Sequence, residues 1–281
     1  RRFVCGRTYS IFSPRNTAAE PAMRKIILDL ISLIGSSFLV QFSNAAITTM
    51  IAIIVASEGG DQSDVALIAS AFSAGFIVGC FLSHPQIYRI GLVRGYAVAA
   101  AILTIAVVAL ELNNDIVGWT ILRFLMGASF ATVMAISDTW INSRTPGEQR
   151  GSVIAIYSTI LGLASIVSQL CFFFLDAGEE GFILLFAISM NLAVVLVALG
   201  ASVPPEQNQN RPKYIRPLAL VSTPATVSAF TAGFATTSLI SIVPFHLSEN
   251  GASENLVAIV VATLYLGRLI SQWPIGKLSD R

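Results

Sequence analysis

Apolar residues along this chain gather into eight long runs, roughly 30–56, 63–84, 94–111, 116–140, 152–175, 181–202, 218–246 and 255–275. Each approaches or exceeds the ~20 apolar residues that an α-helix needs to cross a bilayer. The breaks are short and polar: Glu58 to Asp61, Asn113 to Asp115, Ser143 to Gly147, and Asp176 to Gly181. The longest, Pro204 to Pro217, is rich in Pro, Gln and Asn and divides six runs from two. The pattern predicts an all-α, polytopic membrane helix bundle. It is organised as an N-terminal extension (1–22) expected to be disordered, a six-helix half (23–203), a linker (204–217), and two helices that open a second half (218–281).

Composition agrees. Of 281 residues, 54% are hydrophobic and 12% charged, against roughly 25% charged in soluble domains. Charge distribution then orients the bundle. The breaks after runs 1, 3, 5 and 7 carry Glu58, Asp61, Asp64, Glu111, Asp115, Asp176, Glu179, Glu180, Glu249 and Glu254, and no Lys or Arg. Fifteen of the 17 basic residues lie on the opposite side. The positive-inside rule puts the N-terminus and the 204–217 linker in the cytoplasm.

Before the first run, Arg1, Arg2, Arg7 and Arg15 precede the first acid, Glu20. No apolar stretch follows them directly, which excludes a secretory signal. A transit peptide and a plain extension ahead of Met23-Arg24-Lys25 both fit, and the plain extension is the reading adopted. Cys5, Cys80 and Cys171 are far apart, with neither a disulfide framework nor metal-ligand spacing.

The two basic residues left over, Arg123 and Arg268, lie inside runs 4 and 8. A charge within a span costs at least ~2.5 kcal/mol on insertion scales and usually faces the bundle interior or a watery cavity. Snorkelling to an interface, or structural pairing, is the other reading. Interior placement is expected for both, with Arg123 in hydrogen-bond reach of polar groups on run 1 or run 5.

Those runs carry polar faces. Ser37, Gln41, Asn44 and Thr48 step by four, three and four along run 1, and Ser158, Gly162, Ser165 and Gln169 do so along run 5. Such spacing keeps each set on one helical face. Either they line a solute cavity or they bond helix to helix, and the two are compatible. The candidate cavity residues are therefore Gln41, Asn44, Arg123, Ser158, Gln169 and Arg268. Small residues, Ala71, Gly75 and Gly79 on run 2 and Gly127, Ala131 and Ala135 on run 4, mark close helix contacts. Run 7 holds Pro224, Gly233 and Pro244, followed by His246. Of the acids inside the runs, Asp64 and Glu111 sit at the outer ends and Asp138 near the cytoplasmic surface, which leaves proton coupling open.

No G-x-x-x-x-G-K-[ST] loop is present to drive the chain with ATP, and neither HExxH nor GxSxG occurs. His84 and His246 fall at opposite membrane faces. No enzyme activity, cofactor, metal or nucleic-acid partner is expected. Runs 1–2 and 7–8 also resemble each other: Ser57-Glu58 matches Ser248-Glu249 at an offset of 191, and Ser63-Asp64 matches Ser253-Glu254 at 190. Six runs separate the pairs, so the repeat is parallel, one known way to build a secondary transporter.

The end of run 8 reads Gly276-Lys-Leu-Ser-Asp280-Arg281. It resembles the start of the cytoplasmic signature G-x-x-x-D-R-x-G-R of the major facilitator superfamily. The counterpart after run 2 is degenerate: His84 and Tyr88 replace its glycine and aspartate, while Arg89, Gly91 and Arg94 remain. Arg123-x-x-x-Gly127 resembles that family's fourth-span motif. Asp138-Thr-Trp140-Ile-Asn142, Arg150-Gly151 and Tyr157 are similar to a YcaD-like branch.

The resemblance implies a secondary active transporter of a small solute working by alternating access, the alternative being a sensor or assembly factor on the same scaffold that moves no solute. It implies a monomer in the lipid bilayer of the bacterial inner membrane, with a coupling proton or sodium ion as a further partner. Arg89, Gly91, Arg94, Asp138, Trp140, Arg150, Gly151, Gly276, Asp280 and Arg281 would then form the gating and signature set. It implies twelve spans in all, so that the chain is expected to be C-terminally incomplete.

Overall fold

The computed structural model describes residues 19–113, 115–175, 180–200 and 223–279. Residues 1–18, the predicted linker 204–217, and Asp280 and Arg281 lie outside them. The described residues form eight α-helices: α1 (Ala19–Ser57), α2 (Gln62–Ile90), α3 (Leu92–Glu111), α4 (Ile116–Arg144), α5 (Arg150–Gln169), α6 (Glu180–Leu199), α7 (Thr223–Glu249) and α8 (Glu254–Ser279). The eight runs map one to one onto these helices. Helix α1 starts at Ala19, so the last residues of the presumed extension are already helical. Helix α2 runs through Pro85 to Ile90 instead of ending at residue 84. Pro224 sits in the first turn of α7, where a proline costs the helix nothing.

Seven of the eight helices are long and apolar enough to cross a membrane. The exception, α7, is rich in Ser, Thr and Gly. Its hydroxyls are not stranded: Thr236 Oγ1 donates to the Ala232 carbonyl at 2.7 Å, and Thr231 bonds back to Val227 in the same way. Such back-bonding satisfies a hydroxyl without a neighbouring helix.

Short turns fix the up-and-down course. Asp115 accepts from Gly118 N–H at 2.7 Å and caps α4. Gly91 alone joins α2 to α3 at φ +83°, a backbone that side chains resist. At the opposite end, the α1–α2 and α7–α8 turns are copies. Gly59 and Gly251 have φ of +76° and +79°. Glu58, Gly59 and Gly60 N–H donate to Ile54, Ala56 and Val55, and Asn250, Gly251 and Ala252 N–H donate to His246, Ser248 and Leu247. These paired 6→1-type bonds end both helices alike. Every pair is displaced by 192 residues, and Asp61 and Ser253 precede α2 and α8 at the same offset. The repeat seen in the sequence is therefore real in backbone geometry. Its register is 192, not 190 or 191, because the helix ends align and the Ser-acid pairs do not.

Helices α1 and α4 are central. Helix α2 lies along α4, α3 packs on α4 and α6, and α1 packs on α5 and α6. The α2–α4 contact is the closest, and the small-residue faces make it. A Cβ added at Gly75 would overlap the Phe124 carbonyl, one at Gly79 that of Ala128, and one at Gly127 that of Phe72. Bilayer lipid gives helices no hydrophobic drive to associate, so such backbone approach supplies the contact.

Helices α7 and α8 lean on this six-helix body, α7 against α1 and α2, α8 against α5. They do so chiefly near their connecting turn. Ser241, Pro244 and Phe245 of α7 and Val257, Ala258 and Val261 of α8 are buried. Farther from the connecting turn, Val227, Phe234, Leu239, Leu266 and Ile270 are exposed. The two added helices thus join the body at the end that carries the acidic turns; toward the end that carries Arg89, Arg94, Arg144 and Arg150, α7 parts from it, while α8 stays against α5 as far as Leu269, which packs on Gly162.

Candidate functional site

The polar face of α1 forms a ladder through the middle of the bundle. Each rung reaches a different part of the body. Nearest the basic end, Ser37 Oγ donates to Ser137 Oγ of α4 at 3.1 Å, both fully buried. Four residues on, Gln41 Nε2 donates to Ser165 Oγ of α5 at 2.8 Å. At the top, Thr48 Oγ1 accepts from Arg123 Nη2 of α4 at 3.2 Å and donates to the Asn44 carbonyl at 2.8 Å. From Ser37 to Thr48 the ladder climbs about 16 Å at 1.5 Å per residue. The face picked out by spacing is thus an interior face.

Arg123 is 3% exposed. Its guanidinium carbon stands 4.5 Å from the centroid of the Phe72 ring on α2. That distance is within cation–π range. Its other donors are less well served: Nε and Nη1 are buried and without a hydrogen-bond partner among the described residues. Asn44 Oδ1 and Gln169 Oε1 are buried and unpartnered too. Gln169 ends α5, is 1% exposed, and donates to Ser168 Oγ at 3.1 Å. Ser158 lies half-buried on α5, two turns toward the basic end from Ser165. Interior placement of Arg123 beside run 1 matches what its position predicted.

Arg268 does not follow that expectation. It is exposed, and lines a cleft of about 140 Å³ with Thr236, Leu239, Ile240 and Leu264, between α7 and α8. The reason lies in how α8 packs. Val257, Val261 and Tyr265 form a buried stripe on α8, while at the next turn Leu269 turns to Gly162 of α5 and Arg268 beside it is left facing the cleft against α7. Tyr265, 6% exposed, is in electrostatic reach of both Arg123 and Arg268.

At the basic end the signature residues meet only in part. Arg150 Nη2 donates to the Asn142 carbonyl at 3.0 Å, tying the start of α5 to the last turns of α4. Trp140 is 2% exposed, with its indole N–H unpartnered among the described residues. Asp138 is exposed and within electrostatic reach of the Tyr157 hydroxyl of α5. Arg89 and Arg94 are exposed on either side of Gly91, and Gly151 has open space about it. Gly276 lies in α8, whereas Asp280 and Arg281 fall outside the described residues.

Sequence reading missed Phe72, Ser137 and Tyr265. Tyr265 carried a usable signal, since it precedes Arg268 by three residues and so shares its helical face. Phe72 carried none, because one aromatic in an apolar run is indistinguishable from lipid-facing bulk.

Buried polar rungs between apolar helices define a polytopic membrane protein with a polar interior. The sequence matches the Major Facilitator Superfamily over residues 33–281, and the chain belongs to that family. Among its relatives, an uncharacterized MFS-type transporter of Enterobacter sp. (strain 638) is 23% identical over 265 residues, covering 92% of this chain and 67% of its own length. The uncharacterized MFS-type transporter YcaD of Escherichia coli O139:H28 is 24% identical over 252 residues, covering 89% of this chain and 66% of its own. The chain therefore spans about two thirds of these relatives. Among solved structures, a D-xylose-proton symporter superposes with a TM-score of 0.61 at 15% identity, over 90% of this chain and 68% of that one. A bacterial homolog of the human lysosomal transporter Spinster, inward-facing and unoccupied, gives 0.65 at 19% identity, over 90% and 62%. At such identities the structural likeness speaks to the fold.

Proposed function

We propose that this chain carries out, as part of its family's common work, secondary active transport of a small solute by alternating access. The observation that carries the reading is the one-ended junction of α7 with the six-helix body. Helix α7 is buried against the body near Ser241, Pro244 and Phe245 and exposed from Val227 to Leu239, so the gap beside it widens toward the basic end. The polar ladder of α1, α4 and α5 supplies the buried polar groups that a solute path would use. In this reading Gln41, Asn44, Ser158 and Gln169 line the path, and the basic end is cytoplasmic under the positive-inside rule. The arrangement is inward-facing, as is the Spinster homolog it resembles. The protein works as a monomer in the bacterial inner membrane, coupled to a proton or sodium ion. Its basic-end residues Arg89, Gly91, Arg94, Asp138, Trp140, Arg150, Gly151, Gly276, Asp280 and Arg281 form contacts that close that end in the alternate state.

Reconstitution in proteoliposomes with a library of labelled metabolites tests the reading. Saturable uptake of at least one solute is expected. Gln41→Ala should reduce it about tenfold, equivalent to ~1.4 kcal/mol, with the protein still monodisperse. Folded protein that moves no solute would favour a sensor or assembly factor built on the transporter scaffold.

A further inference from the structure

We propose that Arg123, Tyr265 and Arg268 recognise an anionic solute through an oxyanion group, a carboxylate or a phosphate. The assignment of a transported substrate class rests on the transport reading above. The site itself rests on three observations.

The first is an uncompensated charge. Arg123 is buried in the centre of the bundle and makes no ion pair among the described residues. The acids of the turns are remote from it along the helix: Asp115, before α4, is eight residues away, about 12 Å at 1.5 Å per residue. Asp138 is fifteen residues the other way, about 22 Å. A lone interior cation in a membrane protein is costly and is kept where it acts on something.

The second is the direction of its free donors. A guanidinium holds five N–H groups in one plane. The Phe72 ring, 4.5 Å from the guanidinium carbon, offers those donors no oxygen or nitrogen acceptor. Thr48 takes one of them through Nη2. Nε and Nη1 keep buried donors without a partner. A planar carboxylate or a phosphate accepts two such bonds side by side, a geometry a neutral hydroxyl does not reproduce.

The third is convergence. Tyr265 feels both Arg123 and Arg268. Arg268 lines the cleft between α7 and α8, next to Leu269, which packs on Gly162 of α5. Arg268 lies three residues after Tyr265 on the same helical side; two cations within electrostatic reach of one side chain repel each other, and an anion between them would turn that repulsion into attraction. Arg268 would meet the solute at the cleft, and Arg123 would hold it in the dry interior. Tyr265 supplies a neutral donor between them, on a helix that leans against the body at that level. Because Arg123 belongs to the six-helix body and Tyr265 and Arg268 to α8, an anion held by all three bridges the two units.

The test uses the purified full chain in detergent and in proteoliposomes. The probes are succinate, inorganic phosphate, choline and glycerol, at constant ionic strength set with chloride. Succinate or phosphate should raise the melting temperature saturably, with choline and glycerol silent; which of the two anions acts identifies the oxyanion. Arg123→Gln should weaken that effect at least tenfold while raising the melting temperature of the unliganded protein. A residue that merely held the fold would lower it. Arg268→Gln, at an exposed position, should weaken anion binding several-fold without altering unliganded stability, and it keeps the test alive should the first variant not fold. Equal anion stabilisation in both variants, or none in the parent protein, overturns the proposal. Uptake of choline or glycerol that does not depend on Arg123 also overturns it, and leaves the transport reading standing. Anion binding that needs Arg123, with no uptake of any solute, leaves the site standing and removes the transport reading.

Discussion

Thr48 and Arg123 form the one hydrogen bond that anchors the buried guanidinium, so their coupling is measurable. Replacing Thr48 by Val removes the acceptor and leaves Nη2 buried and unpaired, beside Nε and Nη1 that are unpaired already. An unsatisfied buried group costs ~1–3 kcal/mol, more when charged. In a membrane interior the measured values are smaller, ~0.6 kcal/mol on average for a bond between helices. Thr48→Val should therefore destabilise by about 1 kcal/mol. In Arg123→Met the same Thr48→Val change should cost almost nothing, since the donor is gone. A double-mutant cycle of unfolding in detergent reads this difference directly. Additive effects would mean that the two side chains do not interact as drawn. At this scale the sequence was informative where periodicity spoke. Ser37, Gln41, Asn44 and Thr48 share a face, and all four are buried or half-buried. It misled at Arg268, because position along a helix says nothing of which neighbour that side of the helix meets.

Helices were the most legible level. Eight apolar runs gave eight helices, because a spanning segment must satisfy every backbone group internally and only a helix does so within one segment. Their ends were less legible. Apolar content stops at the bilayer surface, but helical hydrogen bonding continues beyond it, as in α2 past Pro85 and in α1 back to Ala19. The α2–α4 pair shows what small-residue spacing specifies. Gly75, Gly79 and Gly127 each face backbone, not a yielding side chain. Gly127→Leu therefore cannot be absorbed by a rotamer change, and must push α4 away from α2. Overpacking of this kind typically costs ~1–3 kcal/mol. Gly151→Leu, with open space about it, is the internal control and should be neutral for stability. Thermal unfolding of both variants in detergent checks the pair. A Gly127→Leu protein as stable as its parent would show that the helices do not approach so closely.

At the scale of the whole molecule the repeat explains why two helices dock where they do. Helices α7 and α8 reproduce α1 and α2 at a displacement of 192 residues, down to the hydrogen bonds of their connecting turns. Both turns fall at the acidic end, so α7 meets α1 and α2 beside its own counterpart turn. There Asp61, Gln62, Ser63 and Ala66 of α2 and His246 and Glu249 of α7 line a shallow depression of about 680 Å³. His246 Nδ1 stands 3.6 Å from Glu249 within α7, not from the acids of α2. Apolar contact around the fully buried Phe245 contributes to the junction, and the His246–Glu249 pair lies within α7 and does not bridge the two units. Whether water fills the gap on the other side is the quantity that separates a transport path from a lipid-filled groove. Thr236 lines the cleft with Arg268, while Ser241, five residues along α7, is 5% exposed. A cysteine at Thr236 should react with an impermeant thiol reagent only from the cytoplasmic face, because a thiol needs water to ionise and react. A cysteine at Ser241 should stay silent from both faces while the acidic end is closed, and should gain reactivity when a transported solute shifts the population toward the opposite opening. Reaction of the Thr236 cysteine from the outer face would reverse the orientation. Silence there from both faces would place lipid in the gap and leave the ladder of α1 without an aqueous entrance.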